Sequence, residues 1–144
     1  MSNFVLAAID LSHPEQYGTI LNRAARMAEI DDAQLAVVTV IPDFGMSIVG
    51  SFFEQGAEQK ALNAAGSSLH DITQRILGED AQQHIKHVVC HGTAYEQILK
   101  IARDLDVGLI VMGAHRPNFQ DYLIGPNAAR VVRHSTCSVL VLRD

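Results

Sequence analysis

The sequence predicts one α/β domain that spans residues 1–144, built on a five-stranded parallel sheet with helices on both faces. Five apolar runs of strand length alternate with segments whose apolar residues recur at helical spacing. Strands that are apolar along their whole length are typical of parallel sheets, because such sheets are buried on both faces. Right-handed crossovers leave few topologies for five such strands. The common one is the flavodoxin-like, Rossmann-like three-layer sandwich, with a switch point beside the first strand.

Turn residues set the predicted bounds in the first half of the chain. Asp10 begins the turn that ends the first apolar run, and Pro14 suits a first helical turn capped by Ser12 or His13. Pro42 ends the second run. The predicted elements are strands at 4–9 and 34–41 and helices at about 14–30 and 57–77. Residues 42–56 contain three phenylalanines without a clean period, and we interpret them as a loop or lid.

The second half of the chain predicts three strands and two helices. Thr93 with Glu96 three residues later predicts a capping box at a helix start. The predicted elements are a polar linker at 78–83, strands at 84–90, 106–112 and 138–142, and helices from 93 to about 104 and at 126–134. We interpret the histidines that flank the third strand, His84, His87 and His91, as surface residues.

Composition excludes several function classes. The net charge of −5, with no basic run among aromatic residues, argues against nucleic-acid binding. No apolar run approaches the roughly 18 residues of a membrane helix, and the first residues do not resemble a signal peptide. Cys90 and Cys137 lie in apolar runs without a CxxC spacing, so we expect reduced thiols, no metal site and a cytoplasmic protein.

The stretch from Val107 to Gly125 is the strongest candidate for a ligand site. A buried strand ends at Gly113, a polar loop follows, and Gly125, Pro126 and Asn127 open a helix. A helix N-terminus after such a loop directs backbone N–H groups and a dipole at an anion. The switch point would bring Asp10 close by, where it could bind a ribose hydroxyl or a metal ion. Alternatively, Asp10 simply turns the chain before the helix.

Familiar catalytic and nucleotide-binding motifs are absent. The turn DLSHPEQYG replaces a G-x-G-x-x-G fingerprint, and no Walker A motif or G-x-S-x-G elbow occurs. A receiver domain is also excluded, because the third strand ends in Cys90 and His91 instead of an aspartate. Asp121 and His115 share the polar loop, where a solvated face is the simpler interpretation.

Three segments resemble the universal stress protein family, and the similarity extends over essentially the whole chain. They are VLAAIDLS, VVTVIP and LIVMGAHRPNFQDYLIGPNAARVVRHSTCSVLVLR. The similarity is greatest to the small single-domain bacterial branch with an HRP-type loop. The resemblance implies strand order 3-2-1-4-5 and a homodimer joined through the last strand, Val139 to Leu142, with pairing into tetramers left open. Many members bind ATP through a loop of pattern G-x2-G-x9-G-[S/T].

The resemblance also implies a set of contacts to an adenine nucleotide. Asp10 would meet ribose or phosphate, and the Val40 backbone would contact the adenine edge. On physical grounds, and not from the resemblance, Arg116 would supply a cation. Two departures stand out: Arg116 occupies the second glycine position, and Pro126 replaces the Ser/Thr and removes a donor. The implied binding residues are Ala8, Ile9, Asp10, Val40, Met112, Gly113, Arg116, Gly125, Asn127 and Ala128.

The leading hypothesis is a cytosolic protein that binds ATP, with ADP or AMP as alternatives, in a regulatory role. Mg²⁺ would arrive with the nucleotide. No residue is evidently placed to activate water, so we expect no rapid turnover, with slow ATP hydrolysis or self-phosphorylation left open. A second hypothesis is a nucleotide-free interaction protein that acts on an unknown partner through the last strand and the aromatic loop. A third, adenylyl transfer, lacks a HIGH or SGGxDS signature.

Overall fold

The computed structural model of the chain describes residues 3–41, 56–82, 84–114 and 125–143, and it confirms the predicted fold class. The strands are β1 (Phe4–Ala8), β2 (Gln34–Ile41), β3 (Lys86–His91), β4 (Val107–Gly113) and β5 (Ser138–Leu142). The helices are α1 (Tyr17–Ile30), α2 (Ala57–Leu77), α3 (Glu79–Gln82), α4 (Ala94–Asp104) and α5 (Gly125–His134). The strands form one sheet in the order β3-β2-β1-β4-β5, and all four pairings are parallel.

Two apolar layers enclose the sheet, and the alternation of side chains along the strands separates them. Val5 and Ala7 of β1 pack with α1 and α2, whereas Leu6 packs with α4 and α5 on the opposite face. All three side chains are almost completely buried. Each large apolar side chain that is buried in this way stabilises the fold by roughly 1.5–3 kcal/mol. The apolar character of both faces explains why the strands appear as unbroken hydrophobic runs.

The helix starts differ from the sequence prediction in local detail. The first helical segment begins as a 3-10 turn at Pro14–Gln16 before α1, and neither Ser12 nor His13 caps it with its side chain. His13 Nδ1 instead lies 3.1 Å from Glu15 Oε1. Thr93 is the N-cap of α4, but its side chain makes no capping hydrogen bond, so the predicted capping box is wrong. Part of the predicted linker at 78–83 forms the short helix α3.

His87 is not the surface residue that the sequence suggested. Its ring is partly buried between β3 and α2, where it stacks on the His70 ring with centroids 3.8 Å apart. The Thr73 hydroxyl lies 2.8 Å from His87 Nε2. Burial, followed by the neighbouring His70, lowers the pKa of His87 to about 4. His84 and His91 are exposed, as predicted.

β3 and β5 are the two edge strands, and Cys90 and Cys137 are half-buried free thiols. Among the described residues, no helix combines the length and the apolar character needed to cross a membrane. The phenylalanines of the predicted loop at 42–56 lie outside the described residues.

Candidate functional site

A cavity of about 620 Å³ opens at the carboxyl ends of β1, β2 and β4, and we refer to it as the strand-end cavity. Strand order reverses between β1 and β4, so the helices that follow these strands cover opposite faces and leave a crevice between them. The described residues that line it are Ala8, Ile9, Asp10, Leu11, Ser12, His13, Gln16, Val38, Thr39, Val40, Ile41, Gly92, Ala94, Ile98, Met112, Gly113, Pro126, Asn127 and Ala128. The lining is therefore mostly apolar, with polar groups gathered in the turn after β1.

The backbone of Val40 faces this cavity because β2 is longer than β1. Pairing with β1 ends at Val38, whose carbonyl oxygen accepts a hydrogen bond from Ile9 N–H at 2.9 Å. On the other side of β2, the Ile41 carbonyl oxygen accepts from Gly92 N–H. Since backbone groups alternate in direction along a strand, those of Val40 point to the same side as those of Val38. Val40 therefore presents its backbone edge beyond the end of β1.

Asp10 holds the turn after β1 while its carboxylate stays accessible. The Ser12 N–H and hydroxyl donate to Asp10 Oδ1 at 2.9 and 2.6 Å, an Asx-type turn. Asp10 Oδ2 lies 3.7 Å from His13 Nε2, and the Asp10 side chain is 61% exposed. The structure thus shows the turn-forming role that the sequence left as an alternative. The exposed carboxylate also remains available to a ligand.

Further hydrogen bonds fix the same turn against the rest of the fold. The Tyr17 hydroxyl donates to the Leu11 carbonyl oxygen at 2.6 Å. Burial, followed by the negative charge of Asp10, raises the pKa of Tyr17 above its usual value. Gln16 Nε2 donates to the Ala114 carbonyl oxygen at 2.8 Å, which connects the turn to the end of β4.

The N-terminal turn of α5 forms the opposite side of the cavity. Pro126 and Asn127 are exposed, whereas Ala128 is 3% exposed and packs into the core. The first N–H groups of a helix have no partner within the helix, so this end can receive an anion. The body of α5 is held by the buried Val131 and by Arg130, whose guanidinium carbon lies 5.0 Å from the centre of the Tyr95 ring on α4.

Most of the residues predicted from the sequence lie together at this cavity. Its lining includes Ala8, Ile9, Asp10, Val40, Met112, Gly113, Asn127 and Ala128. Gly125 begins α5, and Arg116 lies outside the described residues. That these residues bind a ligand remains a prediction.

The sequence prediction missed several residues of the lining. Ser12 and His13 follow Asp10 directly, so proximity in the chain could have identified them. Gly92 follows β3 at the same sheet edge and could have been found from the topology. Gln16 carries no such signal, because its bond to Ala114 joins positions 98 residues apart.

The described residues contain no cluster of three or more His, Cys, Asp or Glu side chains that could hold a metal ion. Asp10 is the one acidic side chain among the described residues that line the cavity. A single exposed carboxylate suits Mg²⁺ that arrives with the phosphates of a nucleotide, since Mg²⁺ keeps several water ligands and often takes only one or two carboxylates.

Comparison with known proteins gives consistent results at the levels of family, sequence and fold. The model of the universal stress protein family matches residues 1–143. Universal stress protein A homolog 1 of Coxiella burnetii is 30% identical over 141 residues, which cover 96% of this chain and 94% of that protein.

Solved structures share the fold at lower sequence identity. Universal stress protein MJ0577 of Methanocaldococcus jannaschii superposes with a TM-score of 0.75 at 24% identity, covering 100% of this chain and 97% of its own. A universal stress protein in complex with cAMP superposes with a TM-score of 0.60 at 18% identity, covering 99% and 98% of the two chains. With the family model matched along almost the whole sequence, the chain belongs to the universal stress protein family.

Proposed function

We propose that this protein binds ATP, or a related adenine nucleotide such as ADP or AMP, in the strand-end cavity, and that the nucleotide regulates its association with partners. The observation that carries the proposal is the arrangement of the cavity. A mostly apolar space of about 620 Å³ lies between an exposed carboxylate and a helix N-terminus. This volume is within the range of small-molecule sites, roughly 300–1,000 Å³.

The base and the sugar of the nucleotide fit the β-strand side of the cavity. The backbone edge of Val40 offers one donor and one acceptor to the adenine edge, and Ala8 and Ile9 provide an apolar floor. Met112 and Gly113 line the space for the ribose. Asp10 accepts hydrogen bonds from ribose hydroxyls through its exposed carboxylate.

The phosphates fit the α5 side of the cavity. The N–H groups of Asn127 and Ala128 lie in the first turn of α5 and add the helix dipole to the site. Pro126 contributes no N–H donor, so this helix end binds phosphate more weakly than one that begins with Ser or Thr. Arg116 is proposed as the compensating cation, and Mg²⁺ as a companion of the ATP phosphates.

The comparisons support a nucleotide as the ligand class. A relative with the same fold is known in complex with cAMP, an adenine nucleotide. Membership of the family and the edge position of β5 also motivate the proposed homodimer, which would form through the strand Val139 to Leu142. The proposed location is the cytoplasm. With no evident group to activate water, we expect nucleotide binding without rapid turnover.

The test is a calorimetric titration of Mg²⁺-ATP into wild type and Asp10→Asn. Asparagine keeps a side-chain oxygen for Ser12 and thus the turn, but it removes the charge. We expect micromolar binding by wild type and a loss of about tenfold in Asp10→Asn, since hydrogen bonds to charged groups typically contribute about 1.5–3 kcal/mol. Asp71→Asn on the exposed face of α2 is the matched control and should bind as wild type does. Equal affinities in all three proteins would place the ligand elsewhere.

The second candidate function is a nucleotide-free interaction protein, and Pro126 is the observation that favours it. The residue stands where the anion-binding helix end would otherwise carry another donor. Titration of Pro126→Ser separates the two functions. Binding of ATP by Pro126→Ser but not by wild type would support the nucleotide-free interaction protein. Sedimentation analysis of wild type would then be expected to detect its dimer. Binding by wild type supports the nucleotide proposal.

A further inference from the structure

The turn after β1 is joined to the C-terminal strand by two hydrogen bonds that meet at one residue, Ala114. The Gln16 side-chain Nε2 donates to the Ala114 carbonyl oxygen at 2.8 Å. The Ala114 backbone N–H donates in turn to the Leu142 carbonyl oxygen at 2.7 Å. Ala114 is 6% exposed, so its backbone polar groups depend on protein partners. The path from Gln16 through Ala114 to Leu142 therefore connects a wall of the strand-end cavity to β5.

We propose that Gln16 is a positioning residue that couples the strand-end cavity to the C-terminal strand through Ala114. Gln16 lines the cavity beside Gly113, so a ligand group placed there meets the same carboxamide that holds Ala114. β5 is one of the two edge strands, and its outer side is the surface that the second subunit of the proposed homodimer would cover. Coupling of nucleotide occupancy to this edge rests on the proposed function, whereas the hydrogen-bonded path itself does not.

Gly113 makes this placement of Gln16 possible because it has no side chain. A Cβ atom at position 113 would lie 2.7 Å from Gln16 Oε1 and 3.0 Å from Gln16 Cδ. The atoms met are the far end of a flexible side chain, so Gly113→Ala should displace the carboxamide without disturbing the backbone. Gly113 is a strand residue without a positive φ, and alanine adopts that conformation without strain. Gly113→Ala is thus a second way to break the Gln16–Ala114 bond.

The first experiment is residue-resolved amide hydrogen exchange on the full chain without nucleotide, comparing wild type with Gln16→Glu. Glutamate keeps the size of the side chain, but at neutral pH it cannot donate to the Ala114 carbonyl. We expect the Ala114 amide, which bonds Leu142, to exchange about fivefold faster, the factor that one net hydrogen bond typically contributes. The amides at the end of β5 should follow to a smaller extent, and those at the start of β4 should not change.

Two further variants make this result decisive. Gln59→Glu changes an exposed glutamine on α2 that bonds Asn63, and it should leave Ala114 exchange unchanged. Gly113→Ala should reproduce the effect of Gln16→Glu, and the double variant should add nothing, because both changes break the same bond. Unchanged exchange at Ala114 in Gln16→Glu, or additive effects in the double variant, would overturn the positioning role.

The second experiment repeats the exchange measurement with saturating Mg²⁺-ATP, after calorimetry has shown whether each protein binds it. We expect added nucleotide to slow exchange at Ala114 and at the end of β5 in wild type, and this increment to be lost in Gln16→Glu. If Gln16 had a purely structural role, Gln16→Glu would speed exchange equally with and without nucleotide, and added nucleotide would slow exchange as much as in wild type. That result would overturn the coupling. If wild type fails to bind ATP, the proposed function fails, and the nucleotide-free comparison alone decides the role of Gln16.

Discussion

Two polar clusters of this protein, the α2–β3 interface and the turn after β1, use similar residues in opposite ways. At the α2–β3 interface, the His87 ring is stacked on His70 and hydrogen-bonded to Thr73, which is fully buried. In the turn after β1, Asp10 is bonded to Ser12 and yet 61% exposed beside a cavity. In the first cluster the side chains contact one another and join β3 to α2, so the cluster stabilises the fold. The second forms a turn and still presents a charge to solvent, which is what a binding site requires.

The comparison predicts that the two clusters separate stability from ligand binding. Removing the buried hydroxyl of Thr73 from the α2–β3 interface should lower stability and leave nucleotide affinity unchanged. Replacing Asp10 with Asn should lower nucleotide affinity and leave stability unchanged. Within the α2–β3 interface, the effect on stability should decrease from Thr73 through His87 to the exposed rim.

Thr73→Val should destabilise the protein by about 2 kcal/mol. Valine fills the same space but removes the hydroxyl that lies 2.8 Å from His87 Nε2 and donates to the His70 carbonyl oxygen at 3.0 Å. A buried polar group that loses its partner costs about 1–3 kcal/mol. Urea unfolding measures the difference, with Thr19→Val on the exposed face of α1 as the control. A change below about 0.5 kcal/mol would mean that the hydrogen bonds of Thr73 do not hold β3 against α2.

Stability should also fall as the pH is lowered from about 6.5 to about 4. The pKa of His87 is lowered from 6.5 to about 4 in the folded protein, so the unfolded chain binds the extra proton first. The free energy of unfolding therefore rises with pH across this window and falls on acidification. Partial exposure of the ring screens the effect, and we expect a contribution of about 1–2 kcal/mol.

Urea unfolding at pH 7 and pH 5 checks this pH dependence in wild type and His87→Phe. Phenylalanine keeps the stacking with His70 but cannot titrate, so the variant should lose less stability between the two pH values. An identical loss in both proteins would assign the pH dependence to other groups.

The two clusters also show what sequence patterns can and cannot predict. The fold was predictable because the strands are continuous apolar runs of strand length, and glycines flank the run Leu109 to Met112 on both sides. Asp10, Gly113 and the start of α5 were predictable as neighbours, because parallel strands bring their carboxyl ends to one edge. These inferences need only local pattern and topology.

The errors arose where a contact depends on which face a side chain takes. The sequence interpretation places His87 at the surface with the other histidines that flank the third strand, although it shares a strand face with Val89, which packs on the core next to α2. Period-two alternation from Val89 could have placed it correctly. No pattern could have identified Gln16, because its bond to Ala114 follows from the three-dimensional meeting of a turn and a strand end. Thr93 failed as a capping box because a favourable spacing does not fix the rotamer of its hydroxyl.

The smallest effect is expected at the outer rim of the α2–β3 interface. Glu58 Oε1 lies 2.8 Å from His91 Nε2, but the two side chains are 49% and 43% exposed. A contact exposed to this degree, which is an ion pair only when His91 is protonated, contributes roughly 0.2–1 kcal/mol, because water and salt screen it. Glu58→Gln should therefore lower stability by less than about 0.5 kcal/mol, and 0.5 M salt should remove the difference in urea unfolding. A loss as large as that of Thr73→Val would show that the exposed rim holds β3 in place as strongly as the buried Thr73 does.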